Sequence, residues 1–276
     1  MRRVAVASHV LEFASDDPFC VRAIAELYHA ATPTDRPPTR RYRLDRATGG
    51  YVARAPARAP FGPARLGDAW AFLEWRATED LLLEPGGEVF LHAAGAQVHG
   101  RGVLLVGPSA AGKSTLAAHL LARGHPAWGD DLVLFATDKM QFASVPRSFK
   151  LDAKALSDIF LLAALCTSAA VGTFLAPECW YVSPAAVRRC WAAGPGAADL
   201  VVLLDGGRSG PPRLDPMSPG EAAIRVVQSL LSGPTRLEGP DLRPRVLEAL
   251  GGARAVRAGG GPPGALAQAL EQELAR

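Results

Sequence analysis

Residues 107–115 read Gly-Pro-Ser-Ala-Ala-Gly-Lys-Ser-Thr, and the first eight match G-x-x-x-x-G-K-[ST] in full. The chemistry such a run performs is phosphate binding. The small residues Gly107, Pro108, Ser109, Ala110, Ala111 and Gly112 let the backbone curl until successive N–H groups point at one phosphate cluster. A helix opening at the end of the loop adds a dipole that favours anions. In such a loop Lys113 neutralises the β- and γ-phosphates of ATP, and the Ser114 hydroxyl ligates Mg²⁺. Thr115 is the last residue of the nucleotide-binding run. The apolar stretch Val103-Leu104-Leu105-Val106 precedes the loop and a helical pattern follows it. That context makes a plain glycine turn the weaker explanation.

A second feature, Gly129-Asp130-Asp131, lies 17 residues beyond Lys113 and precedes the apolar run Leu132–Phe135. Adjacent carboxylates repel unless a cation sits between them, and Mg²⁺ suits. One of them then holds the metal while the other accepts a hydroxyl proton during phosphoryl transfer. Alone, two acids in a solvated turn is the better reading; beside a phosphate loop the functional one is. His92, one strand upstream of the loop, reads on its own as a satisfied core histidine. Arg147 and Lys150 in Val145-Pro146-Arg147-Ser148-Phe149-Lys150-Leu151 bind substrate or phosphate charge, or are ordinary surface cations. Cys20, Cys166, Cys179 and Cys190 form no C-x-x-C pair. Zinc is therefore not expected, and a reducing cytoplasm is.

Composition limits the partners. Hydrophobic residues are 49% and charged residues 21% of the 276, the balance of a globular chain. A net charge of +3 is too mild to argue for nucleic acid. The N-terminus shows no apolar signal segment. The uncharged stretch 159–176 approaches membrane-spanning length, but Thr167, Ser168, Gly172 and Thr173 dilute it and Pro177-Glu178 follows it. A buried core segment is expected there, and no membrane partner.

The elements that must position these residues divide into 1–65 and 66–276. The first is a small α+β module of substrate-recognising or structural role. A strand is expected over Val4, Val6 and Val10, and a helix from Asp16-Asp17-Pro18 to about Ala31. Two short strands follow around Thr48-Gly49-Gly50, and Pro56–Pro63 reads as a linker. The second part is α/β. A helix is expected from Asp68 to about Leu83, a strand from Val89, and a helix over Ser114–Arg123 stopped by Gly124. Further strands are expected at Leu132–Phe135, Gln141–Val145 and Leu200–Leu204, and helices near 219–232, 241–250 and 263–275.

The run from Leu91-His92-Ala93 through Val98-His99-Gly100-Arg101-Gly102 and the phosphate loop to Arg123-Gly124-His125 and Asp130-Asp131-Leu132-Val133 resembles the catalytic domain of HPr kinase/phosphorylase and its relatives. The shared pattern is a histidine, a glycine turn, an apolar strand, the loop, a helix ending in R-G-[HYW] and a paired aspartate. It covers residues 91–133 closely and the chain from Asp68 loosely. The whole layout, including Pro-Arg-x-x-Lys-Leu, resembles the HPr-kinase-related proteins of bacterial peptide-modification clusters such as those for lasso peptides. The resemblance implies an α/β fold: a P-loop kinase core of the HPr kinase/phosphoenolpyruvate carboxykinase type with a mixed sheet. It implies ATP- and Mg²⁺-dependent phosphorylation of a hydroxyl, foremost a serine of a peptide or small protein. It places His92 beside the catalytic acid, Asp130 as the base that activates the hydroxyl, and Asp131 as the metal ligand. Departures are also present. The family's downstream E-x-R-G-L-G-I-type signature is not found, residues 159–190 are apolar and cysteine-containing, and Ala110-Ala111 stand where relatives often have a glycine. Phosphorylase activity, HPr as acceptor and a hexamer are therefore not carried over. The alternatives are a kinase of a small-molecule hydroxyl and a nucleotide-dependent regulatory module. The paired aspartates speak against the latter.

Overall fold

The computed structural model describes residues 2–6, 9–18, 20, 28, 33–83, 88–152, 154–155, 157–158, 173–176, 179–188, 190–207, 209–231 and 242–276. Its centre is a six-stranded mixed sheet in the order Arg213–Pro216, Arg254–Gly259, Leu200–Leu204, Arg101–Val106, Ala94–Val98, Ala127–Gly129. Leu200–Leu204 pairs in parallel with both of its neighbours. All five of its residues are buried, as expected of a parallel strand covered on both faces. The outer pairings are antiparallel.

Period-two alternation sends the side chains of these strands into two cores. Val103, Leu105, Val202 and Leu204 meet Leu116 and Leu120 of the helix Lys113–Ala122 and Leu266 and Leu270 of the helix Pro263–Leu274. Leu104, Val106, Val201 and Leu203 face the other way. There they meet Val89, Leu91, Val133 and Phe135 of a second, four-stranded antiparallel sheet, ordered Gln141–Ser144, Val133–Ala136, Glu88–Leu91, Leu230–Leu231. Val226 and Val246, from the helices Pro219–Gln228 and Arg243–Ala249, complete that core.

The second sheet is shared. Its alternate residues Phe90 and Leu134 turn into a third core with Val145, Trp70, Leu73, Ala77 and Leu81. The last four form one stripe of the helix Leu66–Leu83. That helix lies on a five-stranded sheet running in chain order from Arg2–Val6 through His9–Ala14, Arg40–Ala47 and Gly50–Arg54 to Phe61–Ala64. The N-terminal residues are thus packed through the long helix onto the sheet that carries His92 and Asp131 at its strand ends.

Several expectations are corrected. Residues 61–64 are an edge strand on Gly50–Arg54 rather than linker, and Phe61 stacks on Phe72 at 4.8 Å. One expected N-terminal strand is two, because residues 2–6 fold back on 9–14. Most of the helix expected to Ala31 lies outside the described residues, as does 159–172; Thr173–Ala176 is a strand paired with Cys179–Val182. Among the described residues no helix is long and apolar enough to cross a membrane. The expected strands at 132–135, 141–145 and 200–204 and the loop helix are present within one or two residues of the expected ends.

Gly102 is a tight point of the central sheet. A Cβ there would overlap the Ala197 carbonyl oxygen and the ring of buried Trp128. Gly102→Ala is expected to lose about 2 kcal/mol of stability, since neither backbone nor a fully packed indole yields easily. Urea unfolding checks it, and a midpoint unchanged from wild type would contradict the packing.

Candidate active site

The strand Arg101–Val106 and the helix Lys113–Ala122 hold the loop between them. Gly107 has φ 151°, and a side chain there would strike the Leu204 carbonyl oxygen on the neighbouring strand. Gly112 and Ala110 also lie at positive φ, 98° and 62°. For alanine that backbone is strained by roughly 1–2 kcal/mol. The buried Lys113 folds back over the loop: its Nζ donates to the carbonyls of Gly107 and Pro108, both at 3.0 Å, and to His92 Nε2 at 3.2 Å. Burial lowers the Lys113 pKa, and the charges of Asp131 and Asp130 work against that lowering.

The carboxylate pair sits in the bend after Ala127–Gly129. The two aspartates meet different partners. Asp130 turns inward: its Oδ2 accepts from the Lys150 backbone N–H at 2.8 Å, and its own carbonyl accepts from the Ser114 hydroxyl at 3.1 Å. Asp131 turns toward His92 and Arg147. Its Oδ1 lies 3.1 Å from His92 Nδ1, and its Oδ2 accepts from Arg147 Nη2 at 3.2 Å. The histidine therefore bonds Asp131, not Asp130 as the sequence led one to expect. An ammonium can only donate, so Lys113 makes His92 Nε2 an acceptor and leaves the proton on Nδ1, facing Asp131.

These surroundings drive the two carboxyls apart. Burial, reinforced by the neighbouring Asp131 charge, pushes Asp130 up to about 6. Burial also opposes ionisation of Asp131, but the His92 hydrogen bond and the charges of Arg147 and Lys150 outweigh it and hold that carboxyl well below the usual range. The two adjacent acids therefore differ in proton affinity: Asp130 holds a proton more tightly than an ordinary aspartate, and Asp131 less tightly.

Arg147 and Lys150 lead to a residue the sequence reading missed. The Arg147 side chain is 5% exposed, and its second arm, Nη1, contacts Glu74 Oε1 at 3.2 Å and donates to Thr78 Oγ1 at 3.1 Å. Lys150 Nζ lies 2.9 Å from Glu74 Oε2. Burial works against the Arg147 charge, but Glu74, Asp131 and Asp130 together raise its pKa. Glu74 itself is 2% exposed. The signal was in the helix period: position 74 falls on the same stripe as Trp70, Ala77 and Leu81. An acid on a buried stripe needs a cation.

Ser114, whose hydroxyl bonds the Asp130 carbonyl, and Asp131 offer oxygen donors, the kind a hard divalent cation takes. Each Asp131 oxygen has one protein hydrogen bond, which leaves each a lone pair for a metal. Among the described residues no three His, Cys, Asp or Glu side chains form a ready-made metal cage. Mg²⁺ fits such a site when it arrives with nucleotide phosphates that complete its shell. On the other flank of the loop helix, Thr115, Asp152, Lys154, Asp158, Gly261 and Pro263 line an open cavity of about 250 Å³.

No protein-family model matches the chain, and no curated protein matches it. Among solved structures, the Hpr(Ser) kinase/phosphatase from Coxiella burnetii superposes with a TM-score of 0.32 at 15% identity, over 67% of this chain and 93% of that one. The protein is a mixed α/β chain with a distant structural neighbour among the HPr kinase/phosphatases.

Proposed function

We propose that this protein is an ATP- and Mg²⁺-dependent kinase that transfers the γ-phosphate to a hydroxyl, foremost a serine of a peptide or small protein. The observation that carries the reading is the buried Asp130 next to Asp131, with Asp131 linked through His92 to Lys113 at the start of the loop helix. Residues 107–115 hold the triphosphate. Ser114 and Asp131 hold Mg²⁺, which when bound spreads the charge of the transferring group. The cavity at Thr115 takes the nucleoside. Asp130 receives the acceptor's hydroxyl proton as that oxygen bonds the γ-phosphorus and the bond to the bridging β–γ oxygen breaks, releasing ADP. A carboxyl near 6 suits a base at neutral pH, because it is ionised yet holds a proton more tightly than an ordinary aspartate. Arg147 and Lys150 face the carboxylates and Glu74, and they take part by setting the charge of the site. The peptide acceptor rests on the sequence resemblance.

The test is mass spectrometry of mixtures of serine-containing peptides and small hydroxyl metabolites incubated with ATP and Mg²⁺. One added phosphate on a peptide, lost in Asp130→Asn and Lys113→Ala, is expected. Phosphate on a metabolite alone would move the acceptor class to small molecules. No transfer while nucleotide still binds would leave a regulatory module.

A further inference from the structure

We propose that Glu74 is a positioning residue for the paired aspartates, acting through Arg147 and Lys150, so that the helix Leu66–Leu83 is part of the active site. The inference rests on the kinase reading for its consequence but on geometry for its substance. A chain of ion pairs and hydrogen bonds runs from the long helix to the loop lysine. Glu74 Oε1 meets Arg147 Nη1 at 3.2 Å, Arg147 Nη2 meets Asp131 Oδ2 at 3.2 Å, Asp131 Oδ1 meets His92 Nδ1 at 3.1 Å, and His92 Nε2 meets Lys113 Nζ at 3.2 Å. A guanidinium is planar and rigid, so its two arms cannot move independently. Whatever holds Nη1 sets the direction of Nη2, and Nη2 holds Asp131. Lys150 closes a second path: its ammonium bonds Glu74 Oε2 at 2.9 Å while its backbone N–H bonds Asp130 Oδ2 at 2.8 Å.

Stability does not account for the acid. Glu74 occupies a stripe otherwise made of Trp70, Leu73, Ala77 and Leu81. A buried ion network is commonly no more stable than apolar residues of similar volume. Removing one member exposes the others to unpaired burial, which makes the network sensitive to Glu74. The N-terminal elements, which support this helix, then serve the chemistry even without touching substrate.

The test uses the full chain and two variants. Glu74→Gln keeps the shape and a hydrogen-bond acceptor but removes the charge that anchors Arg147. Glu74→Gln/Lys150→Met also removes one cation, which restores charge balance if the single variant folds poorly, yet still leaves Arg147 without its anionic partner on the long helix. In either folded variant kcat is expected to fall about 10- to 100-fold, the usual effect of losing a group that orients a metal or catalytic ligand. Acceptor KM should stay within about twofold, because Glu74 is buried and out of an acceptor's reach. The second readout is ¹⁵N NMR of the His92 ring without nucleotide. Wild type should show the Nδ1–H tautomer, and the variants a shift toward a mixture as Asp131 loosens. A kcat within twofold of wild type, or unchanged His92 signals, in a folded variant overturns the proposal. Should wild type phosphorylate nothing, the shifted His92 signals would still sustain the positioning role while the kinase reading fell.

Discussion

Asp130→Asn is expected to abolish phosphate transfer and at the same time to make the nucleotide-free protein more stable. The two effects share one cause. Asp130 is 3% exposed, beside a second carboxylate, and its pKa rises from 3.8 to about 6 on folding. A raised acid binds its proton more tightly in the folded state than in the unfolded one, so folding stability falls as pH climbs through the interval between the two values. The loss is complete above the folded value and amounts to about 3 kcal/mol at about 1.4 kcal/mol per unit. Asparagine never ionises and keeps an oxygen for the Lys150 N–H. At pH 4 wild type and variant should therefore unfold at nearly the same urea concentration. By pH 8, without Mg²⁺ or nucleotide, the variant should be more stable by about 2–3 kcal/mol. Transfer should fall by about 10²- to 10⁴-fold, the worth of a positioned general base. Equal stability of the two proteins at pH 8 would show that Asp130 is not held in a hostile environment, and the argument for it as base would lose its footing. A gain in stability with transfer intact would separate the strain from the chemistry.

How much of this was legible in the sequence depends on how local each cause is. Gly107–Ser114 carries its phosphate-loop pattern in its own spacing, and Leu200–Leu204 declares a doubly buried strand by being apolar throughout. The neighbouring strand Arg254–Gly259 does not, because Arg254 and Arg257 break its apolar run. They are tolerated there because Arg254 pairs with Glu273 and Arg257 with Glu221, each from a distant helix. The paired aspartates were visible as a pair, and the resemblance implied a role for each, but the side chains that face each of them were not legible. Which of them faces Lys150 and which faces His92 follows from the bend after Gly129 and from a segment twenty residues later in the chain. Glu74 lies further still from its partners in sequence. Its helical stripe marked the position as buried, yet only the folded chain brings Arg147 and Lys150 to it. Sequence reading named the loop, whose pattern is local, and His92, Arg147 and Lys150 as candidates; it missed Glu74, which only the packing of the long helix brings to them.

Lys113→Met should separate the contribution of the loop cation from that of the fold. In the nucleotide-free protein Lys113 Nζ spends its three donors on Gly107 O, Pro108 O and His92 Nε2. Phosphate binding must exchange some of these for phosphate oxygens, so the loop is held shaped but not empty of charge before nucleotide arrives. Methionine fills a similar volume without the charge. Removing a buried cation forfeits its hydrogen bonds but also its desolvation cost, lowered pKa being the sign of that cost. The two nearly offset, and unfolding free energy should change by less than about 1 kcal/mol. Transfer has no such offset. On the proposed kinase reading the ammonium would face charge that grows on the β–γ bridging oxygen as the bond breaks, and losing one donor aimed at developing charge costs about 10²- to 10³-fold. Nucleotide affinity should fall less than the rate, since ground-state phosphates would keep the loop's backbone N–H groups, which every residue of 107–112 except Pro108 carries. Single-turnover assays with γ-labelled ATP, paired with urea unfolding, measure both sides. A variant as stable as wild type and within tenfold of its rate would mean that the loop binds phosphate without driving its transfer, and the site would then belong to a nucleotide sensor rather than a kinase.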